Sequence, residues 1–372
     1  MQESKVKICH ITTVHPRNDI RIFYKECLSL TSLFEVYLIV ADGKGDCIQD
    51  KVHILDVYDR KRSRFGRMLL NTRRAYIKAL ELNSDIYHFH DPEFMFFGLK
   101  LKRKGKNVIY DVHEDLPKQV LSKSYISLLI RKIHSKIIFV IEGYISARLS
   151  AIITVTPGIN ERFSKYNFNS RVINNYPRFE EFDSTNNFTS KQNEVCYVGS
   201  ITQIRGIEEL IDSIENIPIS LNLAGKFESD SFKAKLKNKP GWGKVNYYGI
   251  ISPKEVYEIM LRSIAGVSTL YPEPNYLTSQ ATKIYEYMYA GIPVIASDFP
   301  LWKEFIEKFK CGICVDPKNI QKISEAINFL KDNPEIARTM GENGRKAAIE
   351  EFSWKNEEKE LFNIYLRILK KN

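Results

Sequence analysis

At 372 residues, with 44% hydrophobic residues and a formal net charge of +10, the chain exceeds one average domain and has apolar material for two cores. No run approaches the roughly 18 to 20 consecutive apolar residues of a membrane-spanning helix. The start, MQESKVKICHI, lacks the apolar core and cleavage site of a secretion signal, so a cytoplasmic protein is expected, and six scattered cysteines fit that reducing compartment better than a disulfide framework.

In chain order, short β-branched or apolar runs alternate with longer segments of helical period. KVKICHI, EVYLIV, DIYHFH, NVIYDVH and AIITVT are the predicted strands of the first half, in the βαβα pattern of a parallel sheet. The positive charge concentrates here: residues 1–180 hold 30 Lys and Arg against 19 Asp and Glu, while residues 181–372 hold 25 against 26. Part of it falls in RKRSRFGRMLLNTRRAYIK (60–78), which has eight basic residues, no acidic one and apolar residues between them. That composition suits a helix lying on an anionic membrane surface, and equally a solvated helix face. Nucleic acid is disfavoured as a partner, because no helix-turn-helix, zinc-finger or aromatic RNA-binding signature accompanies the charge.

The polar stretch NYPRFEEFDSTNNFTSKQNE reads as a linker. Beyond it, EVCYVGS, ISLNLAG, KVNYYG, AGVSTLY, IPVIAS and GICVDP repeat the strand and helix scheme. The expected fold class is α/β: two doubly wound Rossmann-like domains facing across a cleft, 1–178 and 190–352, with 353–372 a helix returning to the first.

Ligands of such domains sit at the carboxyl ends of the strands. In the first half these ends carry His88, His90, Asp91, Glu93, Asp111, His113 and Glu114, and all seven histidines of the chain precede residue 135. His88 and His90 with Asp91 and either His113 or Glu114 are a candidate metal set, but the further histidines and carboxylates usual in such sites are lacking. Histidines that orient hydroxyls need no metal, and alternate residues of a central parallel strand are enclosed on both faces. Cys311-Gly-Ile-Cys314 has no second pair and no nearby histidine to complete a zinc site. No metal and no cofactor are therefore expected.

In the second half Gly199 and Ser200 follow a strand, and Arg205-Gly206 precedes a helix, so backbone amides and a guanidinium converge where an anion is favoured. Neither a Walker loop nor G-x-G-x-x-G occurs. ATKIYEYMYAGIPVIAS (281–297) places Lys283 in the first turn of a helix, where an ammonium meets phosphate beside free amides. Glu286 falls on the same face, and a carboxylate beside phosphates is tolerated if it accepts from a vicinal diol such as ribose. Gly291 then caps the helix. An exposed i,i+3 ion pair is the competing explanation of Lys283 and Glu286.

These residues carry a family resemblance. VGSITQIRGIEELIDSI, TKIYEYMYAGIPVIAS and FSWKNEEKELFNIYLRILKK resemble the C-terminal half of family-four retaining glycosyltransferases of GT-B fold. HPRNDIRIFYKECLSL, YHFHDPE and VIYDVHEDLP are similar to the N-terminal half of a bacterial branch that builds surface polysaccharides. The resemblance implies donor-diphosphate binding by Gly199, Ser200, Arg205 and Lys283, ribose binding by Glu286, and donor-sugar contacts at Thr278, Ala281 and Thr282. Ser200 stands where the family often has a second basic residue, and Thr278 where it has a first glutamate. His113 matches the histidine that reaches the transferred sugar. The implied reaction is metal-independent transfer, with retention, from a UDP- or GDP-sugar to a saccharide acceptor, polyprenyl-linked, at the cytoplasmic membrane face. Arg17, Arg21, Lys25, His90 and Asp91 are the acceptor candidates. A GT-B epimerase or phosphorylase, or a catalytically impaired scaffold of the same fold, are the competing functions.

Overall fold

The computed structural model describes residues 5–58, 64–122, 127–179, 191–273, 276–277 and 281–370. The chain forms two compact units, Met1–Asn175 with Trp354–Asn372, and Tyr176–Ser353. Tyr176 and Phe179, within the stretch that reads as a linker, are buried in the second unit: Tyr176 packs edge-on to Tyr285 and Phe352, and Phe179 stacks on Tyr289 with ring centroids 3.9 Å apart. Residues 180–190 lie outside the described residues.

The first unit is built on eight strands: β1 Lys7–Ile11, β2 Glu35–Val40, β3 Cys47–Gln49, β4 Val52–Asp56, β5 Ile86–Phe89, β6 Asn107–Val112, β7 Ala151–Thr154 and β8 Ser170–Val172. They pair in the order β3-β4-β2-β1-β5-β6-β7-β8, all parallel except β3 with β4. Those two form a hairpin whose turn residues, Asp50 and Lys51, both take positive φ (48° and 69°), the backbone a two-residue turn between twisted strands requires. The apolar pattern does not announce β3 or β8, since neither is a run of buried side chains: CIQ is mostly exposed and SRV only partly covered. The central strands are buried on both faces, as sheets covered by helices on each side demand.

The helices that matter for function are few. Ile20–Cys27 winds as a π-helix, opened by the Asp19 side chain accepting from the amides of Arg21 and Ile22. Its i→i+5 winding puts Arg21 and Glu26 one turn apart on the buried side. Helices α1 Arg64–Leu82 and α2 Leu128–Ser146 follow. In the second unit are α3 Ile207–Ser213 and α4 Thr282–Tyr289, and α5 Trp354–Leu369 closes the chain. On α5, Trp354, Leu361, Ile364, Tyr365 and Ile368 share one core with Ile8, Val36 and Phe23, so the helix belongs to the first unit.

The second unit has six parallel strands, β9 Glu194–Val198, β10 Ser220–Ala224, β11 Val245–Gly249, β12 Ala265–Ser268, β13 Val294–Ser297 and β14 Gly312–Val315, in the order β11-β10-β9-β12-β13-β14. From β9 the chain winds one way to β11, then crosses to β12 and winds the other way. In the first unit the same reversal falls between β1 and β5. The crevice outside the strand ends at such a reversal is where open α/β sheets hold ligands. The two places to search are thus the end of β9 in the second unit and the ends of β1 and β5 in the first.

Candidate functional site

Gly199 follows β9 with φ +135°, a conformation open to glycine, and a Cβ there would stand 2.9 Å from Lys283 Nζ. Lys283 reaches this point from the first turn of α4, whose N-terminus lacks a side-chain cap at Ala281. Its ammonium lies 4.0 Å above the ring of Tyr197, the penultimate residue of β9. The lysine is 8% exposed, and Nζ has no hydrogen-bond partner among the described residues. Burial, then the nearby Arg205 guanidinium, hold its pKa well below the usual lysine range, and Glu286 opposes them. A buried ammonium crowded by a guanidinium is costly, and an anion that meets it lowers that cost.

The Tyr197 hydroxyl donates to the Ser200 carbonyl at 2.8 Å and also meets Arg205. Burial raises its pKa to about 12, against the pull of Arg205. One buried tyrosine thus carries Lys283 on its face and Arg205 at its edge, and the β9-α3 loop turns around it. Arg205 itself sits in a 3₁₀ turn, Gln203–Arg205, that ends at Gly206 with φ +66°. A Cβ at Gly206 would come within 2.2 Å of the Thr269 carbonyl oxygen, so the close passage of this loop over the end of β12 needs glycine. Glu286 is half-buried on the same helix as Lys283, and Thr282 stands beside it. Gly291 takes φ +71° beyond the helix end. Gly199, Ser200, Arg205 and Lys283 therefore converge on Tyr197. Thr278 lies outside the described residues. Tyr197 is the member that sequence reasoning missed; a tyrosine in the strand just before the glycine turn was the available signal.

The first unit gathers a different set. Asp111, on β6, is fully buried and accepts from Arg21 Nε and Nη2, both at 2.9 Å, from His113 Nε2 at 3.0 Å, and stands 3.2 Å from His90 Nδ1. Burial works to raise its pKa, but Arg21 and then His113 hold it well below the usual carboxylate range. The Asp111 contact engages His113 through Nε2 and orients the ring. Asp91 accepts from the Thr12 hydroxyl at 3.1 Å and the Thr13 amide, which ties the end of β5 to the end of β1.

All five acceptor candidates need correction: His90 is buried against His10, Asp111 and His113, and Asp91 is buried against Thr12 and Thr13. Arg17 is held bidentately by Asp42, at 2.8 and 2.7 Å, Arg21 by Asp111, and Lys25 Nζ donates to the Asn175 side chain at 2.6 Å. All three are buried. Carboxylates neutralise the two arginines inside the unit and amide oxygens of Asn175 hold Lys25, so this row is structural glue rather than a free phosphate seat. Cys311 is buried and Cys314 half-buried, both as free thiols.

Known proteins place these two units. Residues 24–176 match the family described as Glycosyltransferase Family 4, and residues 178–347 match that described as Glycosyl transferases group 1. Spore coat protein SA of Bacillus subtilis is 27% identical over 185 residues, which are 46% of this chain and 48% of that protein. The chain spans about half the length of the curated relatives it matches first. Among solved structures, sucrose-phosphate synthase from Thermosynechococcus elongatus superposes with a TM-score of 0.78 at 16% identity, over 99% of this chain and 100% of that one. Anabaena HepE in complex with UDP-glucose gives 0.72 at 16% identity, over 97% and 99%. The two family matches together run through both units in order, the fold matches end to end, and the chain belongs to glycosyltransferase family four, of GT-B fold.

Proposed function

We propose that the protein is a retaining glycosyltransferase that moves a sugar from a UDP- or GDP-sugar to a polyprenyl-linked saccharide acceptor, in the synthesis of a cell-surface polysaccharide. The observation that carries the donor half is the buried Lys283 ammonium, without a hydrogen bond among the described residues, poised over Tyr197 beside Gly199. A nucleoside diphosphate supplies the missing negative charge, and the charge that grows on it as the sugar leaves is stabilised in place by Lys283 and Arg205. Cations fixed by the fold do here what a chelated divalent ion does elsewhere, and the chain contains no Asp-x-Asp. Glu286 takes the ribose hydroxyls, the backbone around Ala281 and Thr282 the donor sugar, and His113 remains the first unit's candidate for the transferred sugar. Retention follows from front-face attack, with a diphosphate oxygen accepting the acceptor's proton and no carboxylate nucleophile. The likeness to a protein crystallised with UDP-glucose supports the donor class.

The lipid-linked acceptor and peripheral attachment to an anionic membrane rest on α2. No described helix is long and apolar enough to cross a membrane. Yet Leu129, Ile133, Ile137, Val140 and Tyr144, at helical spacing, are all exposed on α2, with Arg131, Lys132 and Lys136 exposed or half-buried beside them. The one acid of the helix, Glu142, is buried against Arg162. A stripe of apolar side chains flanked by cations is the surface that an anionic bilayer covers. The 60–78 stretch lies partly outside the described residues, and on its described part, in α1, Leu69 and Ile77 are exposed. The donor assignment is tested by calorimetry with UDP, GDP and ADP. Micromolar binding of UDP or GDP that drops at least tenfold in Arg205→Ala supports it, and equal affinity in the variant removes the diphosphate from this loop.

A further inference from the structure

The first unit also holds a buried cluster that the transfer reaction does not use. His10 on β1, His88 on β5, His90 just after it and Glu26 of the π-helix meet at the centre of the unit, each essentially without exposure. One ligand-competent atom from each lies within 4.8 Å of the other three. His10 Nδ1 is 3.0 Å from His90 Nε2, and Glu26 Oε2 is 3.8 Å from His10 Nδ1, 3.7 Å from His88 Nδ1 and 3.9 Å from His90 Nε2. Atoms held at about 2.0–2.1 Å by one tetrahedral zinc ion stand about 3.3 Å apart, so slight closure of this cage makes a coordination sphere.

Two further observations point to a ligand. Both Glu26 oxygens are buried, and no donor among the described residues reaches them in hydrogen-bonding geometry: Arg21 Nε forms an ion pair 3.1 Å from Oε1 but aims its proton at Asp111, and the Asp111 carboxylate beside Glu26 can only accept the proton that Glu26 itself carries. A buried carboxyl in a native protein has partners, a bound proton or a metal. The outer nitrogens of two of the histidines already have the partners that metal-bound imidazoles use, and that of His88, Nε2, is buried without a hydrogen bond among the described residues. His90 Nδ1 is held by the Asp111 carboxylate at 3.2 Å, and His10 Nε2 by the Tyr365 hydroxyl at 3.2 Å. Tyr365 also lies 2.7 Å from His88 Nδ1, which a metal takes over while the phenol keeps His10 as its partner.

We propose that His10, His88, His90 and Glu26 bind one divalent transition metal, zinc or ferrous iron by the chemistry of three imidazoles and a carboxylate. This departs from the sequence expectation of no metal. The site is structural rather than catalytic: it is closed to solvent and clamps β1, β5 and the π-helix together, with Tyr365 of α5 and Asp111, the partner of His113, in its surround. Binding displaces any proton on Glu26 and shifts the His10 proton from Nδ1, which faces His90 Nε2, to Nε2, where the Tyr365 oxygen accepts it; the metal then replaces the Glu26 proton as the charge facing the carboxylate.

The test uses full-length, tag-free protein from cells grown with added zinc, iron or cobalt, passed over a chelating resin and analysed by mass spectrometry of the elements. Roughly one metal per folded chain is expected, with X-ray absorption of the bound metal showing imidazole scattering at about 2.0 Å. The cobalt form should show the intense visible bands of a tetrahedral ion, absent in Glu26→Gln and His88→Gln. If those variants fail to fold, the occupancy and X-ray absorption of the wild type still decide. Folded wild-type protein that stays metal-free under every growth condition and after refolding with zinc, with an infrared band of a protonated carboxyl that Glu26→Gln removes, overturns the proposal. So does metal whose occupancy is unchanged in folded variants.

Discussion

Lys283→Met should separate function from stability, in opposite directions. Methionine keeps the length of the chain over Tyr197 but removes the charge. In the free protein it relieves a buried ammonium without a hydrogen-bond partner among the described residues, a penalty of ~1–3 kcal/mol. It forfeits a desolvated cation–π contact of ~2 kcal/mol, for which a sulfur–aromatic contact of ~0.3–1.5 kcal/mol substitutes. The balance is centred on a stabilisation of about 1 kcal/mol, or ~2–4 °C in the melting of a unit of this size. With diphosphate bound, the same substitution removes a desolvated charge-assisted contact of ~2–4 kcal/mol, about 30- to 1000-fold in Kd. Differential scanning calorimetry reads the first effect, and isothermal titration with UDP and GDP the second. The stabilisation should be largest at low pH and shrink as pH rises. Because the native lysine is depressed below the unfolded value near 10.4, the unfolded chain binds the extra proton, and the wild type recovers stability through that window. A variant that binds nucleotide as tightly as wild type, or melts several degrees lower, refutes the reasoning.

Three further outcomes follow from the same geometry. Because the free lysine is pushed toward neutrality and a diphosphate restores its charge, nucleotide binding should take up protons: the titration enthalpy should vary with the ionisation heat of the buffer, the dependence should vanish in Lys283→Met, and affinity should fall as pH rises through the free-state pKa. Glu286→Ala should weaken UDP or GDP by ~1–2 kcal/mol, about 5- to 30-fold, and should abolish discrimination against the 2′-deoxynucleotide; an intact preference for ribose in the variant moves the diol elsewhere. Replacing Leu129, Ile133, Ile137 and Val140 by serine should cut sedimentation with anionic liposomes at least tenfold at moderate salt while leaving donor hydrolysis intact, and unchanged sedimentation would show that α2 is not the membrane face.

Much of the second unit was legible because its chemistry is local. The strand, glycine turn, arginine and helix of VGSITQIRGIEEL occupy consecutive positions, and Lys283 and Glu286 share one helix, so periodicity alone puts each on its element. What sequence could not supply was Tyr197 beneath Lys283, a pairing across 86 positions that depends on how α4 packs over β9. The first unit resisted reading for the same reason. Arg21 and Asp111 are 90 positions apart, and His10 and Tyr365 are 355 apart, so nothing in HPRNDIRIFYKEC indicates that its cations are already engaged. The regular α-helical period also misleads there, because the segment winds as a π-helix and turns Arg21 and Lys25 inward together.

That contrast supplies a physical criterion for telling a binding cation from a structural one in this chain. Buried arginines of the first unit meet fixed carboxylates, Arg17 with Asp42 and Arg21 with Asp111, and each pair is neutral at any pH where the acid is ionised. Such pairs hold elements together, and removing one partner leaves the other charge buried, which typically costs ~3–5 kcal/mol. Lys283 has no fixed carboxylate in bonding contact among the described residues, and its environment pushes it toward the neutral form. Glu286 offsets its charge in part, and in the proposed reading the diphosphate supplies the rest. The same logic separates Glu26 from Asp111: the two are buried side by side and share Arg21, but Asp111 takes the guanidinium hydrogen bonds and those of two imidazoles, while Glu26 keeps an ion-pair contact, Oε1 to Arg21 Nε at 3.1 Å, and its neighbour Asp111. Burial and Asp111 push the pKa of Glu26 far up, so without a cation it keeps a proton. In the readings proposed above, Lys283 is the group an arriving anion compensates, and Glu26 is the group whose proton a metal displaces.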